Sequence, residues 1–133
     1  MKIALLGNPN TGKSSIFNML TGLRQHVGNF PGITVDKRVG RFVVEDTSHQ
    51  LIDFPGVTSL YPKSLDEQVV GRVLLDKSNE DYPDLALMVL DASNLTKGLL
   101  FCSQVYDLNI PLILILNMSD VANKKGIDLD DEK

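Results

Sequence analysis

Along the 133 residues, apolar stretches of strand length alternate with longer amphipathic ones. They run Ile3 to Leu6, Ser14 to Leu20, Phe42 to Val44, Leu51 to Ile52, Val69 to Leu75, Leu85 to Leu90, Leu99 to Leu108 and Leu112 to Leu116. This alternation predicts an α/β domain. Leu85 to Leu90 and Pro111 to Leu116 are apolar at every position rather than every second one, as expected of strands covered by helices on both faces, so the sheet should be mainly parallel. The strands around Arg41 and Leu51 are separated only by the polar turn Glu45 to His49 and predict an antiparallel hairpin.

Punctuation supports the same layout. Gly22 can end the first helix, and Ser64-Leu65-Asp66-Glu67 has the pattern of a capping box opening the second. Val27 to Val35 is too rich in Gly and Pro to be a regular element and reads as a loop. No repeat or linker divides the chain, so residues 1–133 are expected to form one domain. After Asn117 a polar stretch leads to Asp128 through Lys133, where acidic residues suit a helix N-terminus, and the expectation is of a domain incomplete at its C-terminus.

Composition changes this picture little. A hydrophobic content of 43% suffices for one core, and a net charge of -4 argues against nucleic acid as a partner. The single cysteine, Cys102, lies among Leu99, Leu100, Phe101 and Val105 and reads as a small core residue in a reducing compartment. No apolar run approaches the roughly 20 residues of a membrane-spanning helix, so the fragment itself is expected to be soluble. His26 and His49 read as exposed loop histidines, and Met19 and Met88 as core fillers.

The chemistry is concentrated in four segments. Gly7-Asn8-Pro9-Asn10-Thr11-Gly12-Lys13-Ser14 matches G-x-x-x-x-G-K-[ST] between an apolar strand and an amphipathic helix. Backbone N–H groups from Asn10 through Thr11, Gly12 and Lys13 to Ser15 would converge on a β-phosphate at the positive helix end. Lys13 would neutralise the β- and γ-phosphates, and the Ser14 hydroxyl would ligate Mg2+. Asp53-Phe54-Pro55-Gly56 follows a strand, so that Asp53 can hold Mg2+ through water while the Gly56 N–H approaches a γ-phosphate; alone, this tetrapeptide fits an ordinary turn equally well. Thr34 is the candidate second hydroxyl ligand of Mg2+, though a lone threonine equally suits the start of a strand. Asn117-Met118-Ser119-Asp120 stands where guanine is read: the Asp120 carboxylate can accept from guanine N1–H and its exocyclic amine, which adenine cannot satisfy, while Met118 can cover the base plane.

Together these segments predict a P-loop NTPase of the Ras-like GTPase type, a three-layer sandwich binding GTP or GDP. More specifically, Gly7-Asn8-Pro9-Asn10, Val27 through Val35, Asp53-Phe54-Pro55-Gly56-Val57, Pro83-Asp84-Leu85, Leu90 through Leu95, Asn109-Ile110-Pro111 and Asn117-Met118-Ser119-Asp120 resemble the G domain of ferrous iron transport protein B (FeoB) over essentially the whole chain. The resemblance implies a Mg2+-dependent GTPase on the cytoplasmic face of the bacterial inner membrane, partnered by the helical domain and permease of its own transporter and open to self-association. It further implies a K+ site, with Asn10 as a ligand joined by the Gly28 and Phe30 carbonyls. Asn10, Lys13, Thr34 and Gly56 then carry catalysis. Val57 stands where many signalling GTPases place a water-orienting glutamine, so hydrolysis should be slow. In relatives the aromatic at Phe30 is commonly tryptophan.

Overall fold

The structure, a computed structural model, describes residues 1–9, 11–22, 25–30, 32–61 and 63–117. In chain order the elements are β1 (Lys2–Gly7), α1 (Lys13–Thr21), β2 (Gln25–Asn29), β3 (Asp36–Val44), β4 (Thr47–Asp53), α2 (Leu65–Leu74), β5 (Leu85–Asp91), α3 (Leu95–Tyr106) and β6 (Leu112–Asn117). They build a six-stranded sheet in the order β2-β3-β4-β1-β5-β6. The β4-β1-β5-β6 part is parallel, and β2, β3 and β4 are joined antiparallel.

Two apolar layers hold helices to this sheet. On one face Ile16 and Phe17 of α1 pack with Ile3, Leu5, Leu51, Leu87 and Val89. On the other, Val69, Val70 and Val73 of α2 and Phe101 and Val105 of α3 meet Ala4, Leu6, Ile52 and Met88. The three layers follow from the unbroken apolar runs: β1 and β5 are buried at almost every position, leaving no face for water. β6, at the edge of the described sheet, keeps Ile113 exposed, which the apolar run did not predict.

Helix boundaries follow the predicted chemistry. Gly22 caps α1 in the left-handed region at φ 58°, its N–H donated to the Asn18 carbonyl. Ser64 opens α2: its hydroxyl accepts the Glu67 N–H at 3.4 Å and donates to Glu67 Oε1 at 2.8 Å. The β3–β4 hairpin is tighter than expected. Its turn is Glu45-Asp46 alone, with φ of 50° and 64° at the two residues, and pairing resumes at Val44 and Thr47, so His49 lies within β4 opposite Phe42.

Three further expectations are corrected. Val27 to Asn29, the start of the segment read as a loop, belong to β2, because the backbone ladder to β3 satisfies them without any buried apolar face. His26 therefore lies on a strand, exposed as expected. Met19 is 73% exposed because it sits on the outer side of α1, while Met88 is fully buried as predicted. Cys102 is partly buried against the α3 side of the core.

Candidate functional site

The loop from β1 into α1 is shaped by close approaches that only glycine permits. A Cβ at Gly7 would stand 2.9 Å from the Val89 carbonyl oxygen, and one at Gly12 would stand 2.2 Å from Asn117 Nδ2. Gly12 also lies at φ 81° and is the N-cap of α1 without any side-chain capping bond. The N–H groups of the first helical turn, from Lys13 through the exposed Ser14 and Ser15, are thus not occupied by a capping side chain. That is the arrangement an anion requires at a helix N-terminus.

Inside the loop, hydrogen bonds fix its shape. Thr11 is buried and its hydroxyl donates to the Asn8 carbonyl at 3.0 Å, so only its backbone faces outward chemistry. Asn117 Nδ2 donates to the Thr11 carbonyl at 2.8 Å, and the Asn117 carbonyl accepts the Ala92 N–H at 2.8 Å. Asn117 therefore ties the end of β6 to the phosphate loop and to the end of β5. Asn8, which sequence reasoning passed over, is 4% exposed and donates through Nδ2 to the Lys97 carbonyl at 3.0 Å, anchoring the loop to α3. Only its place inside the glycine-rich loop marked it in the sequence.

The Asp53 segment lies against this loop. Phe54 N–H is donated to the Leu5 carbonyl and Val57 N–H to the Gly7 carbonyl, at 3.2 and 3.1 Å. A Cβ on Gly56 would meet Pro9 N at 2.9 Å, so the glycine lets the two loops touch backbone to backbone. Val57 is 3% exposed with its side chain in the core.

Lys13, Thr34, Asp36, Arg38, Asp53 and Asp66 line one cleft of about 490 Å³ beside the helix end. Lys13 Nζ is ion-paired with Asp53 Oδ1, both side chains being about nine-tenths buried. Of the three residues predicted to hold Mg2+, Thr34 and Asp53 line this cleft beside Lys13, oxygen-bearing side chains suited to a hard cation, whereas Ser14 is exposed at the helix end outside the lining. Asp36, Arg38 and Asp66 were not singled out from sequence; Arg38 pairs with Asp53 across β3 and β4, a neighbourhood that only register reveals. Gly28 and Phe30 are not part of the cleft lining: Gly28 is in the β2 ladder opposite Lys37, and the Phe30 carbonyl accepts the Ile33 N–H at 3.1 Å. Asn10, Met118 and Asp120 lie outside the described residues.

A glycine-built cradle at an uncapped helix N-terminus, with Lys13 and Asp53 converging beneath it on an α/β sheet, defines a P-loop nucleotide-binding domain. The model of the family described as ferrous iron transport protein B matches residues 1–133. The Fe(2+) transporter FeoB of Salmonella typhimurium is 42% identical over 134 residues, covering 98% of this chain and 17% of that protein. The chain thus spans about a sixth of the length of the curated relatives it matches. Among solved structures, the cytosolic domain of T. maritima FeoB in its GMPPNP form superposes with a TM-score of 0.89 at 38% identity, covering 98% of this chain and 50% of that one. An S. thermophilus NFeoB mutant bound to GDP gives 0.86 at 38% identity, covering 96% and 48%. The chain belongs to the FeoB family.

Proposed function

We propose that this chain is the guanine-nucleotide switch of a ferrous iron transporter: it binds GTP, hydrolyses it slowly and changes conformation to regulate Fe2+ uptake by the remainder of the protein. That setting places the domain on the cytoplasmic face of the bacterial inner membrane. The reading rests above all on the cleft that joins Lys13, Thr34 and Asp53 beside the uncapped end of α1. The relatives solved with GDP and GMPPNP support the choice of nucleotide.

Each residue has a part in this reading. N–H groups of Asn10 through Ser15 receive the β-phosphate, and Lys13 leaves Asp53 for the phosphate oxygens when nucleotide enters. Ser14 and Thr34 would hold Mg2+ through their hydroxyls and Asp53 through water, and the ion would supply charge neutralisation at the phosphates. Asn10 with the carbonyls of Gly28 and Phe30 would hold K+, the Phe30 carbonyl then being shared with or released from the Ile33 N–H, and the ion would supply charge where other GTPases use an arginine. Gly56 presents its N–H to the γ-phosphate. Asp120 reads guanine, Met118 covers the base, and Asn117 serves chiefly by bracing the loop through Thr11.

The test is GTP turnover with Mg2+ in matched potassium and sodium buffers, with ATP as control. Stimulation by potassium with GTP alone is expected, and Asn10→Ala should remove the stimulation while sparing binding. Equal rates in the two salts would overturn the K+ assignment. Asp120→Asn should weaken GTP binding by more than about tenfold, because a desolvated guanine donor loses its acceptor. Unchanged affinity would remove the base-reading role.

A second reading is favoured by Val57, whose side chain is in the core and cannot orient water. In it the domain is a nucleotide-dependent binding module with incidental hydrolysis. Different affinities of a GTP-analogue form and a GDP form for the transporter's remaining domains, with negligible turnover, would select it.

A further inference from the structure

Around the first switch loop, residues 30–35, the structure holds a set of contacts that the proposed nucleotide chemistry does not use. Phe30 is 2% exposed, with its ring 5.4 Å from that of Phe54, the residue after Asp53. Lys37, at the start of β3, lies with Nζ 5.9 Å from the centre of the Phe30 ring. The same Nζ meets Asp81 Oδ1 at 2.5 Å. Asp81 is 3% exposed, and its second oxygen has no partner among the described residues.

Asp81 is itself rigidly presented. It lies between α2 and β5, where its N–H is donated to Asn79 Oδ1 at 2.9 Å and the Tyr82 N–H to the Asn79 carbonyl at 3.0 Å. Lys2 Nζ holds the neighbouring Glu80 carbonyl, and Asp84 exchanges hydrogen bonds with the Lys2 backbone at 2.8 Å in both directions. The carboxylate is therefore fixed to the foot of β1, the central strand.

We infer that Lys37 and Asp81 are positioning residues for the first switch: the fixed Asp81 carboxylate sets Lys37 over Phe30, and the pair clamps both ends of the loop that presents Thr34. Phe30 stands at one end of that loop and Lys37 just beyond the other. Between them Phe30 N–H is donated to the Val35 carbonyl and Ile33 N–H to the Phe30 carbonyl, both at 3.1 Å, closing the loop on itself. Thr34 is left exposed on the wall of the cleft that Lys13 and Asp53 share. A buried carboxylate with one cationic partner confers geometry more than stability, since solvation lost by both ions offsets most of their attraction. The cation over the ring adds a second directional contact to the same ammonium.

The consequence concerns the γ-phosphate alone, and it rests on the guanine-nucleotide reading above. Only a triphosphate calls on Thr34, so only its binding has to pay for ordering the loop when the clamp is gone.

The experiment compares GDP and GMPPNP affinities of the full-length protein carrying Asp81→Asn, Lys37→Met or Lys37→Arg, alongside thermal midpoints. Asp81→Asn keeps the shape and a hydrogen bond while removing the charge, which guards against simple unfolding. Asp81→Asn and Lys37→Met should each weaken GMPPNP binding about five- to tenfold with GDP binding within about twofold, the loss expected from a loop that must be ordered on binding. Lys37→Arg, which retains both the charge and the stacking, should restore the parental ratio. Equal losses for both nucleotides, or an unchanged ratio in Asp81→Asn, would overturn the clamp. A parent that binds neither nucleotide would overturn the guanine-nucleotide reading itself, a different outcome from a binding parent with an insensitive ratio.

Discussion

The two halves of the sheet are built for opposite duties. In β1 and β5 nearly every side chain is buried, and both strands are flanked on each side by parallel neighbours. In β2 four of five residues are exposed, and the strand has one partner, β3, through the backbone alone. The first half carries the phosphate cradle and Asp53, which must keep their geometry. The second leads into Phe30 and Thr34, the segment to which the proposed switching is assigned. Dense packing and exposed pairing are thus separated along the sheet: packing fixes one side, and a few directed contacts position the other.

Substitutions can break or sharpen this contrast. The largest effect is expected at Phe17, fully buried on the α1 face: Phe17→Ala should lower stability by about 3–5 kcal/mol in chemical denaturation. Val43→Ala, on a residue 64% exposed in β3, should stay within about 0.5 kcal/mol. Next comes Gly12→Ala, whose Cβ collides with the Asn117 amide and whose backbone is left-handed; nucleotide affinity should fall about 100-fold by titration. Gly22→Ala shares the left-handed backbone but meets nothing within 4 Å. It should cost only about 1–2 kcal/mol of stability and leave nucleotide affinity unaltered. The smallest effect concerns Cys102, whose thiol pKa burial pushes above its ordinary value. Since the thiolate is the reactive form, alkylation near neutral pH should run slower than in the unfolded chain and accelerate as pH rises.

Legibility in the sequence divided along the same line. The buried half announced itself through unbroken apolar runs, and the cradle through glycines whose spacing has a mechanical cause. The Gly22 and Ser64 caps were equally readable because capping is local. β2 was missed because Val27 to Asn29 has no apolar periodicity, and its order comes from a ladder with a strand that follows it. Met19 was misplaced because one methionine on an amphipathic helix does not reveal which side it occupies. Asn8, Arg38 and the Lys37–Asp81 pair depend on partners 15 to 89 positions away, a distance that no local pattern encodes.

The place of β1 in the strand order also bears on how the chain comes into being. It is synthesised before the other described strands, yet its hydrogen-bonding neighbours are β4 and β5, which begin at Thr47 and Leu85. At the usual roughly 5–20 residues per second of translation, the interval between Gly7 and Leu85 is roughly 4–16 s. Until then Ile3 to Leu6 can pair only with β4 on one side and keep an open, greasy edge where β5 belongs, a natural client for a chaperone at the tunnel exit. The brace from Asn117 to Thr11 comes later still, so the cradle takes its shape only after the bulk of the domain has been made.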